Sequence, residues 1–170
     1  MSEHEAMKEF KHVTIYTDGA CIGNPGPGGY GVVILYQDHR RELSGGYRKT
    51  TNNRMEIMAA IVALEALKER CRVTLYSDSQ YLVKAMSQGW AKRWQAKGWM
   101  RNRRERALNP DLWERLLELC DHHEVDFGWV KGHAESPENL RCDELAMQAA
   151  QQADLLADHG YEDMLQFPAA

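Results

Sequence analysis

Residues Tyr16–Gly31 read YTDGACIGNPGPGGYG, between the apolar runs HVTIY and VVILY. The stretch holds six glycines, two prolines and one acid, Asp18. How it is read decides the fold. Gly26, Gly28 and Gly31 match the letters G-x-G-x-x-G, but a dinucleotide fingerprint must open a helix. Here a β pattern follows, and no G-K-[ST] is present for a P-loop. Asp18-Gly19 could turn a hairpin, yet about ten residues separate the two strand signals, too many for a two-residue turn. What remains is a pair of strands joined by a tight, glycine-permitted loop with a carboxylate on its lip. The glycines would leave a surface poor in side chains along which another backbone can lie. A purely structural loop with a capping aspartate stays open as the alternative.

Working outward, strands are expected at 11–18, 29–37 and about 40–48, with DHR turning between the last two. TTNNRMEIMAAIVALEALKER reads as a helix, with Ile57, Ile61 and Leu64 on one broad apolar face. RVTLYS is a fourth strand, followed by Asp78, and SQYLVKAMSQGW a short helix. Asn109-Pro110-Asp111 opens another helix with a cap residue, a first-turn proline and an acid. EVDFGWV is a fifth strand, and Pro137 begins a last helix reaching about Ala157. Three strands in a row predict an antiparallel meander. Strands alternating with helices predict parallel pairing through right-handed crossovers. The fold class is α/β, a mixed five-stranded sheet flanked by helices. Residues 1–170 are read as one domain, with a core at about 11–157 and flexible ends at 1–10 and 158–170.

The composition, 44% hydrophobic and 27% charged, suits a soluble globule. No stretch has the roughly 18 apolar residues of a membrane span. The charged start MSEHEAMKEF has no apolar core of a signal peptide, so a cytoplasmic, monomeric protein is expected. The four cysteines form no C-x-x-C and are expected as free thiols. The net charge of −4 is uneven, because Lys84–Arg106 carries eight Lys or Arg against one Glu. A basic lobe on an acidic body suits a polyanionic partner.

Taken singly, the acids have ordinary readings. Asn53-x-x-Glu56 fits a capping box, Asp78 could cap the next helix, and Asp143 could be a solvated helix acid. The topology gathers Asp18, Asp78 and Glu56 at one end of the sheet, beyond the C-terminal ends of parallel strands, where ligands bind in such folds. Clustered carboxylates repel and raise one another's pKa unless a cation is present. A hard ion such as Mg²⁺ answers that need, and two such ions about 4 Å apart can clamp a phosphoryl transfer. His133 stands in the loop after the fifth strand, near the same end. His122 and His123 close a helix, where histidines complement the dipole.

The blocks TDGACIGNPGPGGYG, TTNNRMEIMAAIVALEALKE, SDSQY, GW…W…KGW, NPDLW and WVKGHAESPENLRCDELA together resemble ribonuclease H of type 1, the bacterial kind. They span most of residues 11–150 in the family's order. The resemblance implies a metal-dependent endonuclease that cuts the RNA strand of RNA–DNA hybrids, leaving 5′-phosphate and 3′-hydroxyl ends. It implies that Asp18, Glu56, Asp78 and Asp143 hold two Mg²⁺ ions, with Mn²⁺ as the alternative, and that His133 assists proton transfer or product release. It implies substrate contacts at Gly19, Cys21, Asn24, Asn52, Asn53 and Gln80, and a grip on a DNA phosphate at Thr51 and Asn109. The basic segment GWAKRWQAKGWMRNRRERALNP is similar to the family's protrusion, with Trp90 toward the DNA strand and Trp94 and Trp99 packed inward. Two departures stand out. Gln95-Ala96 falls where more basic residues are expected, and Glu135 and Leu140 stand where many relatives carry glycine and an acid. Two rival readings remain, a binding module without catalysis and a DNA-cutting nuclease with the same carboxylates.

Overall fold

The computed structural model describes residues 10–132 and 136–166. Strand β1 (Lys11–Cys21) buries Val13, Ile15 and Thr17 at alternate positions, the period-two signature of a strand with one face in the core. It pairs antiparallel with β2 (Gly26–Tyr36), which pairs antiparallel with β3 (His39–Thr50). On its other side β1 runs parallel to β4 (Cys71–Ser77), and β4 parallel to β5 (Glu124–Trp129). The order β3-β2-β1-β4-β5 is the mixed sheet the sequence predicts.

Helix α1 (Asn52–Glu65) lies on one face with α2 (Gln80–Ser87), α3 (Trp90–Ala96) and α4 (Pro110–His122). Its Ile57, Ile61 and Leu64 join Ile15, Val32, Leu75, Leu116 and Trp113 in the main core. Helix α5 (Pro137–Ala150) covers the opposite face, where Cys142 and Leu145 pack on Val33. Of the short helix α3, Trp94 meets Trp113 edge-on at 6.0 Å and Trp90 at 6.4 Å. Trp94 and Trp99 pack against the core as expected, and Trp90, half buried, does so too. Free cysteines stand at all four positions.

Four local expectations are corrected. The glycine stretch is not a long loop: β1 runs on to Cys21 and β2 starts at Gly26, so only residues 22–25 turn. Gly28, Gly29 and Gly31 are buried strand residues rather than an open surface. Backbone pairing with β1 and β3 recruits them, because a neighbouring ladder outweighs glycine's weak strand preference. Second, the last long helix ends at Ala150, not 157. Third, the tail from Asp158 is not loose as far as residue 166. Leu156 accepts a bond from the Arg48 N–H, Asp158 is buried, and α6 (His159–Gln166) follows. Fourth, His123 does not complement a dipole. It is buried, its Nδ1 accepts from the Cys71 N–H at 3.0 Å, and burial followed by the nearby His122 lowers its pKa.

The tail is held by Arg54. This guanidinium, 3% exposed, makes a fork to Asp158 and a second to Asp111. Burying one charge against two carboxylates is tolerable only because every contact is a charge-assisted hydrogen bond.

On the far face, α5 comes so close to β2 that a Cβ on Gly31 would lie 2.9 Å from the Leu145 Cβ and against the Cys142 carbonyl. Gly31→Ala is therefore expected to destabilise the fold by about 1–3 kcal/mol through overpacking. The check is a lower urea midpoint with an unchanged m value.

Candidate active site

The register Thr17↔Ser77 sets β1 and β4 level, so Asp18 and Asp78 follow side by side at the C-terminal end of a parallel pair. Helix α1 enters from the same end, since Thr50 at the end of β3 pairs with Gly26. Its N-cap is Thr51, whose Oγ1 accepts from the Arg54 N–H at 3.2 Å. Capping is thus done without Glu56, and the capping-box reading falls away. Likewise Ser79, not Asp78, caps α2, accepting from the Leu82 N–H at 3.1 Å. Both acids are left to face the same space.

Oxygens of Asp18, Glu56 and Asp78 lie within 4.8 Å of one another. Asp143, on α5, lines the same groove with Gly19, Cys21, Asn52 and Met147. Asp18 and Glu56 are 3% and 4% exposed, so two carboxylates of the cluster are taken out of water, while Asp78 and Asp143 are half-buried. Among the described residues, Glu56 Oε2 has no hydrogen-bond partner, and it is buried. Burial, followed by the charges of Asp18 and Asp78, raises the Glu56 pKa well above the carboxylate range. Burial, with the Asp78 and Asp143 charges adding to it, pushes Asp18 up to about 8, against the opposing pull of a hydrogen bond with Glu56 and of the Gly19 N–H at 2.9 Å. All-oxygen donors, an orphaned buried oxygen and mutual repulsion fit a hard divalent cation held by Asp18, Glu56 and Asp78, with Asp143 beside them.

The other expected residues are placed as follows. Gly19, Cys21 and Asn52 line the groove, and Asn24 Oδ1 accepts from the Asn52 N–H at 3.0 Å, tying the turn after β1 to α1. Asn53 and Gln80 are exposed in the first turns of α1 and α2. Trp90 shares a second groove with Arg93, Trp94, Lys97 and Arg101. Asn109 sits at the N-cap position of α4 with φ 61° and no capping bond, contrary to its expected capping role. His133 lies outside the described residues. Gly132 before it is set so that a Cβ would be 3.1 Å from Asp78 Oδ2, which brings the chain leading to His133 against the cluster. Sequence reasoning missed Trp129, whose Nε1–H donates to the Asp78 carbonyl at 3.1 Å, and it missed Met147 and Arg54. Its signal for Arg54 was a lone arginine at the head of an apolar helix.

The RNase H family model matches residues 10–151. The chain belongs to the RNase H family. It is 72% identical over 151 residues to a Ribonuclease H of Syntrophus aciditrophicus (strain SB), covering 89% of this chain and 87% of that one. Among solved structures, it is similar to LC9-RNase H1, described as a type 1 RNase H with the type 2 active-site motif. That likeness has a TM-score of 0.75 and 33% identity over 91% of this chain and 80% of that one. LC11-RNase H1, solved in complex with an RNA/DNA hybrid, matches with a TM-score of 0.63 and 28% identity, covering 81% of this chain and 96% of that one. Among the described residues no helix is long and apolar enough to cross a membrane.

The raised pKa values carry a sign. A carboxylate whose pKa is higher folded than unfolded favours the fold while protonated, and that contribution is lost as pH rises through its folded value. With divalent ions chelated, stability should therefore fall between the ordinary carboxylate range and about pH 8. Asp18→Asn should raise the metal-free Tm at pH 8 and flatten this slope. Thermal melts in chelator across that range measure both.

Proposed function

We propose that this protein is an endonuclease that hydrolyses the RNA strand of RNA–DNA hybrids by two-metal-ion chemistry, leaving 5′-phosphate and 3′-hydroxyl ends. The observation that carries this reading is the carboxylate cluster of Asp18, Glu56 and Asp78, with Asp143 on its wall, in a chain of the RNase H family. Asp18, Glu56, Asp78 and Asp143 would hold two Mg²⁺ ions, with Mn²⁺ as the alternative. Metal held by these carboxylates would supply a lowered pKa for the attacking water and charge neutralisation at the leaving 3′-oxygen.

The chain's own residues do the rest. Asp18 and Glu56, buried and rigidly set on a strand and a helix, keep the acidic donors aimed with little reorganisation. Asn24 spends its carbonyl oxygen on the Asn52 N–H, which turns its amide N–H groups outward. Together with Asn52, Asn53 and Gln80 it would meet RNA 2′-hydroxyls, the groups that tell RNA from DNA. Gly19 and Cys21 would border the scissile strand. Thr51 and Asn109 would grip a phosphate of the DNA strand. Trp90 and the cations of α3 and the segment after it would hold that strand further along. His133 would carry a proton to or from the product. The protein is read as a cytoplasmic monomer of one domain.

The test is cleavage of end-labelled hybrid, duplex RNA and duplex DNA in Mg²⁺. Cutting is expected in the RNA strand of the hybrid alone, and Asp78→Asn should abolish it while the hybrid still binds. Equal cutting of duplex DNA, or binding without cutting by the parent, would sink the reading. Salt should weaken hybrid binding steeply, and Arg103→Ala or Arg104→Ala should each lower the log–log slope by about 1. An unchanged slope would take the basic segment out of the interface.

A further inference from the structure

Asn109 occupies the N-cap position of α4 and does not cap it. Asparagine is among the best caps because its side-chain oxygen takes a free first-turn N–H. Here that oxygen is diverted and accepts from Arg54 Nη1 at 3.4 Å. A guanidinium offers donors only, so the atom facing it must be Oδ1. The Asn109 amide N–H groups are thereby turned the other way, as donors.

Arg54 is not itself an anion receptor. Nη1 and Nη2 donate to Asp111 at 2.9 and 2.7 Å, and Nε and Nη2 to Asp158 at 2.7 and 2.9 Å. Its charge is already outnumbered by two carboxylates. Asp158 reaches further, since its Oδ2 also accepts from the Thr50 hydroxyl at 2.7 Å. Thr50 adjoins Thr51, and the Oγ1 of Thr51 accepts from the Arg54 N–H. Thr51 and Asn109, far apart in sequence, are each one link from the Arg54–Asp158 pair. Asp158 itself lies beyond the stretch that matches the family model.

We propose that Asp158, acting through Arg54 and Thr50, is a positioning residue for the phosphate grip of Thr51 and Asn109, so that the C-terminal segment tunes hybrid affinity. This rests on the hybrid-cleaving function above. An asparagine in left-handed backbone ahead of a helix has several side-chain arrangements open to it. With the fork held by two carboxylates, one remains. Once the fork is loosened, Asn109 can turn its carbonyl oxygen toward the phosphate, which repels it.

The test variant is Asp158→Asn. Asparagine caps as well as aspartate, so the bond from the Tyr161 N–H that starts α6 is retained, while the charge facing Arg54 is lost. At a temperature where circular dichroism shows the variant folded, KM for the hybrid should rise about tenfold with kcat unchanged, the loss of one well-made contact. Hybrids carrying a single methylphosphonate, moved along the DNA strand, give a second readout. In the parent one position should raise KM, and in Asp158→Asn that penalty should vanish. Asp111→Asn, on the more exposed side of the same guanidinium, should show a milder form of both effects and serves if Asp158→Asn does not fold. Glu162→Gln breaks the surface pair with Arg48 and should change Tm alone. A lowered Tm with unchanged KM and an unchanged methylphosphonate profile would overturn the proposal. A parent with no sensitive position would overturn it too, while leaving hybrid cleavage standing. A parent that leaves the hybrid uncut would overturn both.

Discussion

The contact of α1 with β1 at Gly19 is the constraint on which the site depends. A Cβ at that position would lie 2.5 Å from the Glu56 nitrogen and 2.9 Å from the Met55 Cβ. Without one, helix backbone meets strand backbone, and Glu56 comes within reach of Asp18. Gly29 and Gly31 do the same on the other face, where α5 presses its backbone on β2 and carries Asp143 to the groove. Helices from both faces thus aim acids at the end of one central strand. The device works by removing side chains, since every added methyl would hold the carboxylates apart.

The molecule handles buried charge in two opposite ways. Around Arg54 every charge is answered: one cation, two carboxylates, a threonine hydroxyl and an asparagine oxygen. That cluster locks α1, α4 and the tail together, and removing Arg54 would strand the buried Asp158 without its cation. Around Glu56 carboxylates face one another, and burial together with their mutual charge forces the pKa values of Asp18 and Glu56 upward. Carboxylates buried against one another in a groove mark a candidate functional site. The cations of the basic segment do not relieve the cluster. They lie beyond α2, on α3 and the chain after it.

Much of this was legible in the chain. Alternation gave the strands, the apolar faces gave α1 and α4, and three consecutive strands followed by crossovers gave a mixed sheet with the first and fourth strands adjacent. The gathering of Asp18, Glu56 and Asp78 followed from that order. Other features were hidden for identifiable reasons. Glycine reads locally as loop, and only pairing with β1 and β3 makes Gly28, Gly29 and Gly31 strand. Glu56 and Asp78 read as caps until Thr51 and Ser79 are seen to do that work. The run ADHGYED reads as a loose polar tail, because the partner that buries Asp158 stands 104 residues earlier.

By itself, then, the sequence determined the kinds of element, their order, and the acids that such an order brings to one sheet end. These follow from local periodicity and from the handedness of chain connections, which short stretches of residues control. The tertiary structure decided which glycines are packing surfaces, which carboxylates share a partner and which are left exposed to one another's charge. It also tied the tail to the heads of α1 and α4. Those outcomes depend on distances between residues remote in the chain, where a difference of one methyl group or one hydrogen bond changes whether two charges meet.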